Sequence, residues 1–231
     1  MDERSLLKQK AALKAVEFVE SGMVLGLGTG STVRYALEAI GERVREGSLK
    51  GIVGIPSSKD TEKKSQDLGI PLTSFQEHTT IDLTIDGADE VDPDLNLIKG
   101  GGGALLREKV IAQASRRNII IVDEGKLSPC LGTLFQVPVE VIPFAWALEA
   151  AYIERLGARV NLRKAPDGKV YETDQGNVIL DCRFGPIKEP EKLALDLCKR
   201  AGIVEHGLFL GLASDVIVAG KDGIRHLKRE R

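Results

Sequence analysis

The first third of the chain repeats one local pattern, in which a short apolar run leads through a turn into a longer segment with helical spacing. Met23 to Leu27 leads through GLGTGST into Thr32 to Val44. Gly51 to Ile55 leads through Ser57-Ser58 into a polar segment that Gly69 closes. Apolar runs of this length are typical of buried strands, and strands that alternate with helices favour a parallel sheet.

A third unit of the same kind follows. Ile81 to Ile85 alternates apolar and polar residues and predicts a strand that ends at Asp86. Ala104 to Ser115 favours a helix and Asn118 to Asp123 a strand, and a further helix is predicted over Leu6 to Val19. Together these elements predict an α/β fold with a doubly wound, mostly parallel, Rossmann-like sheet.

The pattern changes after Leu131. The predicted elements there are a strand from Val137 to Ile142, a helix from Phe144 to Leu156, strands at Arg159 to Arg163 and Asn177 to Arg183, a helix from Glu189 to Arg200 and a strand from Ile203 to Phe209. This β-α-β-β-α-β order is the ferredoxin-like arrangement. We therefore predict a smaller ferredoxin-like α+β domain at residues 132–206, inserted into a catalytic α/β domain of residues 1–131 and 207–231. A last strand is expected at Asp215 to Ala219, with a solvated HLKRER end.

Composition and charge limit the class of protein. Hydrophobic residues make up 42% and charged residues 29%, and the formal net charge is -2, which excludes wholesale disorder and gives no general attraction to nucleic acid. The longest apolar runs, such as Ile119 to Val122, have the length of strands. We therefore expect a soluble cytoplasmic protein with no nucleic-acid or membrane partner.

The cysteines and histidines give no sign of a disulfide framework or a metal centre. The three cysteines form no C-x-x-C pair, and the three histidines are scattered. Zinc sites normally combine several such residues at short spacing. The sequence therefore favours a metal-free mechanism.

The glycine-rich GLGTGST segment lies between a predicted strand and a predicted helix. Its backbone amides and the hydroxyls of Thr29, Ser31 and Thr32 point where an anion meets the positive end of a helix dipole, so we predict a phosphate site. The alternative is a turn that serves packing only. Dinucleotide binding is disfavoured because the G-x-G-x-x-G fingerprint needs a glycine where this chain has Ser31. In addition, no acidic residue that could bind a ribose ends the second strand. A nucleotide P-loop is disfavoured because its lysine is missing.

A dense group of charged residues and glycines runs from Asp86 to Lys109. Asp86 and Asp89 suit proton transfer, with an ordinary acidic turn or a magnesium site as alternatives. Lys99 stands before four glycines, where an ammonium group and backbone amides can stabilise an oxyanion or a phosphate. A solvated lysine is the alternative for Lys99. The ammonium group of Lys99 weakens the magnesium hypothesis, because it competes with a metal ion for the same carboxylates.

Glu108 is the candidate general base. It is the fifth residue of the helix predicted from Ala104, between Arg107 and Lys109, and a merely exposed surface charge is the alternative. A glutamate has an ordinary pKa of about 4.3, so a base that acts on a carbon acid needs a water-poor pocket that raises this pKa.

Several motifs in order closely resemble the type A ribose-5-phosphate isomerase family. They are GLGTGST, Ser57-Ser58-Lys59, DGADE, KGGGGALLREK, the VDEGK that ends at Lys126, GNVILD and HGLF. The resemblance spans nearly the whole chain. The substrate-binding residues that it implies are Thr29, Gly30, Ser31, Thr32, Asp86, Gly87, Ala88, Asp89, Lys99, Gly100, Gly101, Gly102 and Lys126. Lys8 stands where the family often has a lysine that reaches toward the site.

The resemblance implies an aldose-ketose isomerase of the non-oxidative pentose phosphate pathway. The substrate pair is D-ribose 5-phosphate and D-ribulose 5-phosphate, and the enzyme needs no metal or organic cofactor and forms a homodimer or homotetramer through the smaller domain. Within the implied enediolate reaction, Glu108 is the base, Lys99 with the glycine amides stabilises charge, and Asp86 moves a proton during ring opening. Asp89 is expected to orient Lys99 or a sugar hydroxyl.

Two other functions stay open on the sequence. A non-catalytic sugar-phosphate sensor, such as the ligand domain of a transcription regulator, needs no base, so Asp86, Lys99 and Glu108 together favour an enzyme. A nicotinamide-dependent dehydrogenase is disfavoured by the incomplete glycine fingerprint.

Overall fold

A computed structural model describes residues 2–229 of the chain. The chain divides into two compact units. The first comprises Met1–Ala88, Arg107–Lys126 and Gly211–Arg231, and the second comprises Asp89–Leu106 and Leu127–Leu210. Over the described residues, no helix combines the length and the apolar character needed to cross a bilayer.

The helices and strands follow one another in a regular order. They are α1 (Glu3–Val16), β1 (Val24–Leu27), α2 (Val33–Arg45), β2 (Val53–Pro56), α3 (Lys59–Asp67), β3 (Ile81–Gly87), β4 (Glu90–Val91), β5 (Leu97–Ile98), α4 (Leu105–Ala114), β6 (Ser115–Asp123), β7 (Val137–Val141), α5 (Trp146–Arg155), β8 (Arg159–Leu162), β9 (Val178–Arg183), α6 (Pro190–Cys198), β10 (Ile203–His206), β11 (Leu208–Phe209), β12 (Asp215–Gly220) and β13 (Gly223–Lys228). Short 3-10 helices lie at Glu124–Lys126 and Pro143–Ala145.

The first unit is built on a six-stranded sheet with the order β13-β12-β6-β3-β1-β2. Five strands are parallel, and only the β12–β13 pair is antiparallel. The predicted mostly parallel α/β sheet is confirmed. Because the chain passes from β1 to β2 on one side and then returns to β3 on the other, the loops after β1 and β3 meet at a topological switch point, where open α/β sheets bind ligands.

Small and aliphatic residues on the helices let them pack closely on this sheet. α1 buries Ala11, Ala12 and Ala15, whose short side chains allow a close approach, and α2 buries a stripe that includes Val33 and Leu37. These residues recur at helical spacing and face the strands. This packing therefore fixes the positions of the strand ends and of the loops that follow them.

The second unit contains a four-stranded antiparallel sheet with the order β10-β7-β9-β8 and helices α5 and α6. Val137, Val139 and Val141 alternate along β7 and face the helices in a core with Leu180 and Leu197. In chain order the four strands are β7, β8, β9 and β10, so the sheet has the 4-1-3-2 order of a ferredoxin-like unit. The predicted small α+β domain is confirmed.

A three-stranded sheet, β11-β5-β4, accounts for the difference between these units and the predicted boundaries at residues 131 and 207. Leu97–Ile98 pairs with Leu208–Phe209 and with Glu90–Val91, so the segment after Ala88 belongs to the second unit. The single strand predicted from Ile203 to Phe209 breaks at Gly207, where a Cβ atom would overlap the carbonyl oxygen of Lys99.

Glu90 fastens the same segment within the second unit. It is fully buried, and its carboxylate accepts hydrogen bonds of 2.9 to 3.1 Å from backbone amides. The donors are the amides of Gly132, Thr133, Leu134 and Phe135. Four donors compensate the burial of the charge, and β4, directly after Asp89, is fixed in place.

The C-terminal strand differs from the prediction. The HLK part of the HLKRER segment lies in β13, which pairs with β12 across a tight turn at Gly223 (φ 117°), and Arg229 follows the strand. Glu230 and Arg231 lie outside the described residues. β13 is an edge strand, exposed over most of its length, so its sequence carries little of the apolar alternation that marks a strand.

Candidate active site

The predicted phosphate loop joins β1 to α2, at the carboxyl edge of the parallel sheet. Gly30 has a φ of 115°, a conformation that side chains rarely adopt, and Gly30 and Ser31 are exposed. Thr32 stands at the N-cap position of α2, but its side chain makes no capping hydrogen bond to the helix. The loop thus has the geometry of an anion site at a helix start.

Lys8 adds a positive charge to this loop. Lys8 lies on α1, and its ammonium group donates a hydrogen bond to the hydroxyl of Ser31 at 2.8 Å. The structure therefore places Lys8 beside the predicted phosphate loop.

Thr29 is held from two sides. Its hydroxyl lies 2.7, 2.9 and 3.0 Å from the hydroxyls of Ser57, Ser58 and Thr61 in a partly buried network. Its backbone amide donates to Oδ1 of Asp86 at 3.2 Å. The sequence did not predict that this network at the start of α3 holds Thr29. The adjacent serines are a signal for a helix N-cap, and Ser58 is the N-cap of α3.

Asp86 lies near the end of β3, with a relative exposure of 2%. Its Oδ1 atom also accepts a hydrogen bond of 2.7 Å from the amide of Gly87. Leu27 pairs with Ile85, so Gly28 passes directly beside Asp86, and a Cβ atom at Gly28 would overlap the carboxylate. Glycine is required there because backbone and carboxylate approach so closely.

Glu108 is the fourth residue of α4, since the helix begins at Leu105 and not at Ala104. Its relative exposure is 6%, so the alternative of an exposed surface charge is excluded. Three residues later, Ile111 packs with Ile55 and Ile81 and holds the helix against the sheet of the first unit. A buried carboxylate on a rigid helix suits a general base.

Lys126 lies in the short 3-10 helix that follows β6. β3 and β6 are parallel neighbours, so their carboxyl ends lie at the same edge of the sheet. Asp86 lies near the end of β3 and Lys126 follows β6, so both lie at this edge. The structure therefore places the phosphate loop, Asp86 and Lys126 along one edge of the first unit.

The glycine turn after Lys99 is shaped by Asp89 in the second unit. The Asp89 carboxylate accepts a hydrogen bond of 2.7 Å from the amide of Gly101, and a Cβ atom at Gly101 would lie 2.7 Å from the same carboxylate. Gly100 and Gly103 have φ values of 98° and 83°. The turn thus needs its glycines for conformation and for the close approach of Asp89.

Lys99 has a relative exposure of 3%, so the alternative of a solvated lysine is wrong. Its ammonium nitrogen lies 5.5 Å from the centroid of the Phe209 ring, a cation–π distance, and its amide donates to the carbonyl of Gly207 at 2.9 Å. Phe209 went unassigned in the sequence analysis, although the HGLF motif that contains it was part of the resemblance.

No group of three or more His, Cys, Asp or Glu side chains with the arrangement of a metal site occurs within residues 2–229. One oxygen of Asp86 and one of Asp89 accept backbone amides, as described above.

Comparisons with known proteins identify the family. The family model described as ribose 5-phosphate isomerase A (phosphoriboisomerase A) matches residues 53–223. Ribose-5-phosphate isomerase A of Desulfatibacillum aliphaticivorans is 60% identical over 99% of both chains, and that of Chloroflexus aurantiacus is 57% identical over 95% of this chain and 92% of its own.

Solved structures agree in fold over the whole chain. A D-ribose-5-phosphate isomerase in complex with phospho-erythronic acid has a TM-score of 0.96 at 39% identity and covers 99% of this chain and 100% of its own. The Plasmodium falciparum ribose 5-phosphate isomerase has a TM-score of 0.95 at 41% identity over 98% and 100%. These relatives are named as isomerases, and they share the fold of this chain. The chain belongs to the ribose 5-phosphate isomerase A family, and it is an isomerase; the sensor and dehydrogenase alternatives are not favoured.

Proposed function

We propose that this isomerase interconverts D-ribose 5-phosphate and D-ribulose 5-phosphate through an enediolate, with Glu108 as the base. The observation that carries this proposal is the burial of the Glu108 carboxylate on α4, in a chain 60% identical to a named ribose-5-phosphate isomerase. One base that reaches both carbons can take the proton from C2 and return it to C1, so that no atom is gained or lost.

The phosphate of the substrate binds at the loop between β1 and α2. The Gly30 amide, the hydroxyls of Ser31 and Thr32, and the ammonium group of Lys8 supply donors and positive charge, and Lys126 supplies a second cation. A phosphate held far from the reacting carbons provides binding energy that fixes the sugar against the base.

Charge that develops on the sugar oxygens is stabilised by Lys99 and by the amides of Gly100 and Gly102, since the Gly101 amide donates to Asp89. Asp86, with Gly87 and Ala88 beside it, transfers a proton when the sugar ring opens. Asp89 keeps the glycine turn in shape through the Gly101 amide, and we propose that it also orients Lys99 or a sugar hydroxyl.

Further proposals concern the setting of the enzyme. We propose that it works in the cytoplasm, as a homodimer or homotetramer, without a metal or organic cofactor. Phospho-erythronic acid binds a structural relative, so we propose that it also competes with the sugar phosphate here.

A coupled assay for ribulose 5-phosphate tests the proposed function. The purified chain is given D-ribose 5-phosphate, with excess chelator and without nicotinamide, and we expect multiple turnovers that phospho-erythronic acid inhibits. Binding of the sugar phosphate without turnover would instead establish the sensor alternative, and a requirement for nicotinamide would establish a dehydrogenase.

A further inference from the structure

Side chains of the ferredoxin-like part of the second unit hold three consecutive carbonyl groups of the glycine turn. Nη1 of Arg163 donates to the carbonyl oxygens of Gly100 and Gly101 at 2.9 and 3.1 Å. The hydroxyl of Tyr171 donates to the carbonyl of Gly102 at 3.3 Å. Burial raises the pKa of Tyr171, so this hydroxyl stays protonated and able to donate at neutral pH.

Arg163 is itself fixed by a bidentate ion pair. Its Nε and Nη2 atoms donate to Oδ2 and Oδ1 of Asp181 at 2.9 and 2.5 Å, and both side chains are 12% exposed. A guanidinium fork paired in this way is planar and has little rotational freedom. The direction of Nη1, and with it the position of the two carbonyls, is therefore set by Asp181 on β9.

The held carbonyls belong to the peptide groups whose amides shape the turn and face the proposed chemistry through Gly102. The Gly100 carbonyl shares its peptide group with the Gly101 amide, which donates a hydrogen bond to Asp89. The Gly101 carbonyl shares its peptide group with the Gly102 amide. Glycines have no side chains to fix a turn, so outside partners determine its shape. A cation on a carbonyl also polarises its peptide group and makes the amide a stronger donor.

We propose that Arg163, oriented by Asp181, is a positioning residue for the isomerisation: it sets the direction and strength of the glycine-turn amides that follow Lys99. This inference rests on the proposed function, because it presupposes that the Gly102 amide stabilises the enediolate while the Gly101 amide, bound to Asp89, keeps the turn in shape. Tyr171 supports the last carbonyl of the turn in the same way.

The test compares Arg163→Lys, which keeps the charge and loses the fork, with Arg163→Ala, and uses Arg159→Ala as the matched control. Arg159 is the first residue of β8, the strand that ends directly before Arg163, and it is exposed. We expect kcat to fall by about 10- to 100-fold in both Arg163 variants with little change in KM, since misplacement by about 1 Å has effects of this size. The control should keep its wild-type kcat. Guanidinium ion at millimolar concentration should restore part of kcat in Arg163→Ala only.

Other measurements separate positioning from stability alone. In glycine-labelled protein, the amide NMR signals of Gly101 and Gly102 should shift in Arg163→Lys. If Arg163→Ala does not fold, Asp181→Asn takes its place, with the same expected loss of kcat.

Wild-type kcat in a folded Arg163→Lys or Arg163→Ala variant would overturn the inference. A loss that guanidinium leaves unchanged, with unmoved glycine signals, would overturn it as well. An inactive wild-type chain would refute the proposed function itself, so the two failures are distinguishable.

Discussion

The backbone amide of Thr29 donates a hydrogen bond to the Asp86 carboxylate at 3.2 Å and joins the phosphate loop to the end of β3. Because β1 and β3 are parallel neighbours, this contact fixes the distance between the proposed anion site and the proposed acid. The hydroxyl of Thr29 is engaged with the serines at the start of α3. Thr29 therefore positions the loop, and the exposed Ser31 remains the better hydroxyl for a phosphate.

The first prediction concerns the space between this loop and Asp86. Gly28→Ala would place a methyl group on the Asp86 carboxylate and 2.6 Å from the carbonyl of Ile85, so the loop must shift. We expect kcat/KM to fall at least about tenfold and the free energy of unfolding to fall by about 1–3 kcal/mol, the usual cost of overpacking. Steady-state kinetics and urea denaturation measure both. An alanine variant with wild-type kinetics would show that the close approach has no functional role.

The second prediction concerns phosphate binding. Ser31→Ala combined with Thr32→Ala removes two hydroxyl donors, and a hydrogen bond to a charged group contributes about 1.5–3 kcal/mol. We expect KM for the sugar phosphate to rise at least about tenfold, with a smaller change in kcat. Ser48→Ala serves as the control, because its hydroxyl binds the Arg43 carbonyl in an exposed turn. Unchanged affinity in the double variant would rule out this loop as the phosphate site.

The third prediction concerns metals. The proposed mechanism uses side chains and amides only, so turnover in excess chelator should equal turnover without it. The coupled assay is run after extended incubation with chelator and again after magnesium is added back. Activity that chelator removes and magnesium restores would favour the alternative of a magnesium site at Asp86 and Asp89.

The fourth prediction concerns stability and pH. Burial alone would raise the pKa of Asp215, but hydrogen bonds from Arg117 and His226 lower this pKa below its ordinary value. A carboxylate with a lowered pKa stabilises the folded state above its unfolded pKa of about 3.9, and this contribution is lost as pH falls through the folded pKa. Asp215→Asn should therefore cost about 1–3 kcal/mol at neutral pH, and the difference from wild type should shrink below about pH 4.

Urea denaturation between pH 3 and pH 7, with the exposed Asp222→Asn as the control, measures this difference. A loss of the same size at every pH would contradict the role assigned to the Asp215 carboxylate.

The sequence predicted those parts of the fold and of the site that a regular periodicity or the end of a strand marks. Apolar runs followed by glycine turns were enough to predict the parallel sheet, and the alternation before Asp86 placed this carboxylate at the carboxyl edge. Two-residue strands such as β4 and β5 are too short to show a periodicity, and β5 also pairs with Leu208–Phe209, more than a hundred residues away.

Burial and long-range partners decided the rest. Arg163 reaches Gly100 across 63 residues of sequence, and nothing in the local pattern around Arg163 distinguishes it from the exposed Arg159. The sequence likewise left open whether Glu108 and Lys99 are exposed, since burial results from the packing of distant segments. Chain order determined the fold class, whereas the partners of the site residues required coordinates.

Glu108→Gln tests the central claim most directly, because it keeps the shape of the side chain and removes the base. The account predicts that kcat falls at least about a hundredfold with a modest change in KM, while Glu62→Gln on the exposed face of α3 keeps wild-type kinetics. Near-normal turnover by folded Glu108→Gln would contradict the account and remove Glu108 from the mechanism.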